Sequence, residues 1–141
     1  MTDQKLTIGI IGLGGVAQAH LQAFDLLDNL TIVSVCDVRM DVADAVSKRV
    51  SAIAYTDYRD LLAAGNIDLA LVLTPASTHR EIVEAVAKQS IHVFCEKPIA
   101  VTLEDAEAMV AACKQAKVKL FYGSCYRYLP AIVKAKQLIQ S

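Results

Sequence analysis

Runs of consecutive apolar residues alternate along this chain with stretches in which apolar residues return every three or four positions. Leu6 to Ile11, Leu30 to Cys36, Ala52 to Tyr55, Leu69 to Leu73, Ile91 to Cys95 and Lys119 to Tyr122 are short runs that read as strands. Between them, helical spacing is found over Val16 to Leu27, Asp41 to Val50, Asp57 to Ala64, and a segment that Ser77 or Thr78 can cap and that reaches Lys88. Thr102-Leu103-Glu104-Asp105 resembles a capping box and opens a further helix to Gln115, and Pro130 suits the first turn of a last helix. Gly65-Asn66 is a natural helix stop, Asp28-Asn29 is a turn pair, and Thr74-Pro75 halts a strand. The strands are apolar throughout rather than alternating, which is the mark of strands covered on both faces. Strand and helix in strict alternation predict an α/β fold, a doubly wound parallel sheet of about six strands in the order 3-2-1-4-5-6 with right-handed crossovers.

Composition narrows this picture. The 141 residues suffice for one domain with a real core. Fourteen Lys and Arg against fifteen Asp and Glu leave a formal net charge of −1, with no run of like charge, which argues against nucleic acid or an anionic membrane as partner. Apolar residues make up 55% of the chain and mean hydropathy is +0.40, as buried parallel strands or a missing partner domain would produce. Cys36, Cys95, Cys113 and Cys125 form no C-x-x-C pair and no metal-like spacing with the histidines, so they read as reduced thiols and no metal site is expected. Leu6 to Phe24 is uncharged and follows Lys5 but is broken by Gly12, Gly14, Gly15, Gln18 and His20. It is therefore read as a strand–loop–helix unit rather than a signal peptide, and a cytoplasmic location is expected.

The first strand runs into Gly12-Leu13-Gly14-Gly15-Val16-Ala17, which fits G-x-G-x-x-G/A with Ala17 in the third place. Gly12 allows a tight turn, Gly14 lets backbone approach a pyrophosphate, and Ala17 lets the helix pack close to its strand. The helix N-terminus then offers free N–H groups to the phosphates. Asp37 ends the second strand at the distance from this loop where an acid would accept hydrogen bonds from an adenosine ribose and repel a 2′-phosphate. NAD is the expected cofactor. Arg39, two residues on, is able to tolerate a 2′-phosphate, so NADP stays open.

Gly12 to Gly15, Asp37, Thr74 to Ser77, Glu96 to Pro98 and Gly123 to Arg127 all follow strand ends, and in doubly wound sheets ligands bind along that rim. Lys97 is the candidate catalytic residue. Its ammonium offers a charge and three donors to a carbonyl or alcohol oxygen, and partial burial would lower its pKa, against the effect of neighbouring Glu96. His20 and His79 read as packing or capping residues.

The fingerprint at Gly12 to Ala17, Asp37, Thr74-Pro75 with His79, Cys95-Glu96-Lys97-Pro98, and Tyr126-Arg127-Tyr128 with Pro130 together resemble the Gfo/Idh/MocA oxidoreductases over essentially the whole chain. The resemblance implies hydride transfer between a nicotinamide cofactor and a hydroxyl or keto carbon of a sugar, polyol or related small molecule. It places Gly12, Gly14, Gly15, Val16, Asp37, Arg39, Thr74, Pro75, Glu96, Lys97 and Pro98 at the cofactor. Glu96 then meets the nicotinamide-side ribose, Lys97 assists at the substrate oxygen with Tyr126 and Arg127 nearby, and the Lys97–Pro98 bond is cis. Ala76 stands where the family often has Asn, and so does Cys125. The resemblance also divides the chain into a dinucleotide-binding domain over residues 1–128 and, over 129–141, the start of a helix leading into a substrate domain. The 141 residues are thus expected to be one half of a homo-oligomeric enzyme, poorly active alone. A non-catalytic NAD(P)-sensing module is the alternative.

Overall fold

The computed structural model describes residues 5–140. Its strands are β1 (Leu6–Ile11), β2 (Leu30–Cys36), β3 (Ile53–Tyr55), β4 (Leu69–Val72), β5 (His92–Cys95) and β6 (Leu120–Tyr122). They are parallel and ordered β3-β2-β1-β4-β5-β6, as expected. The helices are α1 (Gly15–Phe24), α2 (Met40–Val50), α3 (Tyr58–Ala64), α4 (Ala76–Lys88), α5 (Leu103–Gln115) and α6 (Pro130–Ile139), with a 3₁₀ turn over Cys125–Tyr128.

Strand side chains alternate between the two faces of the sheet, and each face has its own core. Ile10, Val35 and Leu71 pack with Ala17 and Leu21 of α1 and Ala43 and Val46 of α2. Their neighbours Ile11, Cys36 and Val72 point the other way, onto Leu61 of α3, Val83 of α4 and Met109 of α5. Neither layer of helices is dispensable, which accounts for the continuous apolar runs.

Several element limits shift by a single residue from the sequence expectation, and two larger differences have local reasons. Helix α1 stops at Phe24, three residues short of Leu27, because the backbone tightens into i→i+3 bonds (Leu26 N to Ala23 O at 3.2 Å, Leu27 N to Phe24 O at 3.0 Å). Leu26 is 83% exposed, so no burial rewards another helical turn. Neither Ser77 nor Thr78 caps α4. The cap position is Pro75, and the Thr78 hydroxyl, already inside the first turn, donates back to Pro75 O at 2.8 Å and Thr74 Oγ1 at 2.9 Å. Asp57, read as the first residue of its helix, is instead the cap of α3 and accepts from Arg59 N, whereas Thr102 accepts from Asp105 N and Gly65 and Asn66 end α3 at φ of 71° and 64°, as read.

Leu61 is fully buried between β1, β2 and α4, so Leu61→Ala removes its packing without room for the site to collapse. Urea denaturation is expected to show a loss of about 2–5 kcal/mol. Leu26→Ala on the exposed turn is expected to stay within about 0.5 kcal/mol of the parent.

Candidate functional site

A cleft of about 610 Å³ opens at the carboxyl ends of β1, β2, β3 and β4. The chain enters it through the turn at Gly12. That residue sits at φ +92°, and a Cβ there would lie 2.9 Å from the backbone of both Leu73 and Thr74. Glycine is required twice over, by conformation and by space. Gly14 and Gly15 contrast with it, since a Cβ at either would meet nothing within 4 Å. The open space in front of Gly14 and Gly15, at the start of α1, is a cradle that a side chain would fill and that a phosphate fits. Ala17 is fully buried beneath the loop, as the third position of the motif demands.

Asp37, just past β2, is tied into this loop. Its Oδ2 accepts the Leu13 N–H at 3.0 Å, and its Oδ1 accepts the Arg39 N–H at 3.0 Å. The carboxylate therefore braces the glycine turn as well as facing the cleft, with lone pairs to spare for further donors. The Arg39 guanidinium lies beside it, Nε 3.8 Å from Oδ1, with its side chain 66% exposed. Burial, and then the negative charges of Asp57, Asp37 and Asp60, push the Cys36 thiol next to Asp37 up to about 11.

Of the sequence candidates, Gly12, Gly14, Gly15, Val16, Asp37, Arg39, Thr74 and Pro75 line this one cleft. Glu96, Lys97, Pro98, Tyr126 and Arg127 do not; they follow β5 and β6 further along the same rim. Glu96 is 9% exposed: its N–H donates to Val72 O at 3.0 Å, its Oε2 accepts the Lys97 N–H at 2.6 Å, and its Oε1 lies 3.2 Å from His20 Nε2. The Lys97–Pro98 bond is cis. The partial burial that would lower the pKa of Lys97 is not found. The side chain is exposed, because the turn after β5 carries it beyond the last sheet hydrogen bond. Tyr126 is 75% exposed on the 3₁₀ turn, and Arg127 is exposed beside it.

The sequence reading passed over one group in the cleft. Tyr58 and Arg59 open α3 after β3, and both reach Glu81 of α4: Tyr58 Oη donates to Glu81 at 2.8 Å, Arg59 forms an ion pair with the same carboxylate, and the guanidinium lies over the Tyr58 ring at 4.5 Å. Burial and the Glu81 hydrogen bond push the Tyr58 hydroxyl up to about 12. The signal was available, since residues 56–59 also follow a strand end. The histidines did more than pack. His79 is 1% exposed and spans two loop carbonyls, and His20 touches Glu96. A second groove, about 540 Å³, lies on the C-terminal halves of α4 and α5, at the far rim. Among the described residues no group of three His, Cys, Asp or Glu is arranged to hold a metal ion, and no helix is long and apolar enough to cross a membrane.

A parallel sheet with a glycine turn after its first strand, an open phosphate-sized cradle and an acid after its second strand defines a dinucleotide-binding α/β domain. Residues 6–124 match the oxidoreductase family with an NAD-binding Rossmann fold, Gfo/Idh/MocA, and the chain belongs to that family. It is 34% identical to a myo-inositol 2-dehydrogenase of Thermotoga maritima over 96% of this chain and 41% of that protein. To a D-apiose dehydrogenase of Paraburkholderia graminis it is 37% identical, over 93% of this chain and 35% of the relative. The structure superposes on the WlbA dehydrogenase of Bordetella pertussis, solved with NADH and UDP-GlcNAcA, with a TM-score of 0.95, 31% identity, and coverage of 99% of this chain and 41% of that one. The chain thus spans about two-fifths of the length of these relatives.

The two kinds of glycine separate in a stability measurement. Gly12→Ala is expected to lower the free energy of unfolding by about 1–3 kcal/mol, from the strained φ and the backbone clash. Gly14→Ala, with open space in front of it, is expected to melt within about 2 °C of the parent, well under the shift that 1 kcal/mol produces.

Proposed function

We propose that this chain holds the nicotinamide cofactor of an oxidoreductase acting on a hydroxyl or keto carbon of a sugar, polyol or related small molecule. The observation that carries the reading is Asp37. It stands at the end of β2, on the wall of the cleft that Gly12, Gly14 and Gly15 also line, and it is bonded to the loop itself. A dinucleotide whose adenosine ribose meets Asp37 crosses the glycine loop with its pyrophosphate. It then descends past Thr74 and Pro75 toward the ends of β4 and β5. Gly12, Gly14, Gly15 and Val16 supply backbone to the phosphates, and Arg39 flanks the ribose. Bound NAD supplies the hydride acceptor, or in its reduced form the donor.

At the far end, Glu96 accepts from the nicotinamide-side ribose, held by its bonds from Lys97 N–H and its contact with His20. Lys97 is exposed on the turn next to it, where its ammonium donates to the substrate oxygen as charge develops there. Tyr126 and Arg127 stand on the following strand end and face the same small molecule. The relatives' substrates support a polyhydroxylated ligand, since inositol, apiose and a nucleotide sugar share vicinal hydroxyls. Lys97 lies open to solvent, so the 141-residue chain binds cofactor without appreciable turnover. Residues 1–128 form the cofactor domain in this account, and 129–141 lead toward a substrate domain in a cytoplasmic, homo-oligomeric enzyme. An accessible lysine beside the cofactor path favours an enzyme over a non-catalytic NAD sensor.

Asp37→Asn tests this reading because it keeps an acceptor for the Leu13 N–H while removing the charge that excludes a 2′-phosphate. Fluorescence titration is expected to move the ratio of NADPH to NADH affinity at least about tenfold toward NADPH, the equivalent of about 1.4 kcal/mol. An unchanged ratio would contradict the role given to Asp37.

A further inference from the structure

Phe94 and Cys95 are consecutive residues of β5, so their side chains leave the sheet on opposite faces, and each meets a histidine there. On the α1 side, the His20 ring packs edge-on against Phe94, with ring centroids 5.3 Å apart and planes at 76°. On the α4 side, buried His79 sits 3.2 Å from Cys95 Sγ, 2.7 Å from Thr74 O and 3.0 Å from Ile99 O. The ring is wedged between the loop after β4 and the loop after β5. Cys95 remains a thiol there, since burial pushes it up to about 12. The turn carrying Glu96 and Lys97 is therefore walled by His79 on one face and is open to adjustment only on the other.

The other face is held by His20. Oε2 of Glu96 accepts the Lys97 N–H, which fixes one end of the carboxylate, and His20 Nε2 meets Oε1 at 3.2 Å. The His20 ring is in turn oriented by Phe94 and by Phe24, 6.3 Å away. His20 belongs to α1, the same helix whose first turn carries Gly15 and Val16. One helix thus reaches both the phosphate cradle and the carboxylate beyond it.

We propose that His20 is a positioning residue: it orients the Glu96 carboxylate before ligand arrives, so that the nicotinamide-side ribose meets a preset acceptor. This rests on the NAD reading above. It predicts an effect confined to the nicotinamide half of the cofactor, because ADP, which lacks the nicotinamide-side ribose, occupies the cleft lined by Asp37 and the glycine loop without reaching the end of β5. Preorganisation of this kind acts by removing an ordering cost from binding.

The test compares NADH and ADP binding by calorimetry in the parent chain, His20→Phe and His20→Gln. Phenylalanine keeps the ring packing on Phe94 and removes the polar contact, whereas glutamine restores a donor. His20→Phe is expected to weaken NADH about tenfold and to leave ADP within about twofold, in line with a lost hydrogen bond to a charged group. His20→Gln is expected to regain most of the NADH affinity. Equal losses for both ligands, or full NADH affinity in His20→Phe, would overturn the proposal. A parent chain that binds neither ligand would instead overturn the NAD reading on which it rests, so the two failures are distinct.

Discussion

A parallel sheet wound on both faces has one rim where all its strands end, and that constraint organises this molecule. Each strand is hydrogen-bonded on both sides or covered by helices until it reaches that rim, and only there does the backbone turn free of the ladder. The exposed N–H groups, the glycines and the charged side chains accordingly collect along it: Gly12 after β1, Asp37 after β2, Tyr58 and Arg59 after β3, Thr74 after β4, Glu96 and Lys97 after β5. The order of strands in the sheet converts that list into a line. Read from β2 through β1 to β4 and β5, it runs from the Asp37 carboxylate, over the open glycine loop, to the Glu96 carboxylate and Lys97.

The line is held by cross-links between elements rather than by the strands alone. Asp37 is bonded to Leu13 and so couples β2 to the glycine turn. Glu81 of α4 gathers Tyr58 and Arg59 of α3 at one end of the cleft. His79 joins the loops after β4 and β5, and His20 joins α1 to Glu96. His79 and Glu96 are buried, where an unmatched polar group would be costly, whereas Arg59 and Glu81 meet at the exposed edge of the cleft. The site is therefore preorganised from several directions.

Most of the fold was legible in the sequence because apolar runs and helical spacing differ plainly, and because strict alternation leaves few topologies. The limits of β1 and β2 were read to the residue, whereas α1 was drawn too long, since exposed Leu26 and Leu27 continue the helical spacing without any core to meet. At the site, glycine spacing and the acid at position 37 were readable because each answers to a fixed backbone geometry. The exposure of Lys97 was not, since it depends on where a turn directs one side chain. Nor was the double engagement of Asp37, or the contacts of His20 and His79, which join residues up to 76 positions apart. Pairings of that kind are set by the closing of the sheet, not by any local pattern.

The central claim is that one ligand lies along the whole rim. Mapping amide chemical-shift changes on addition of NADH tests it directly. Changes running continuously from Asp37 through Gly14 and Thr74 to Lys97 are predicted, with the α4–α5 groove around Ala112 silent. No change at millimolar NADH, or changes confined to that groove, would contradict the account.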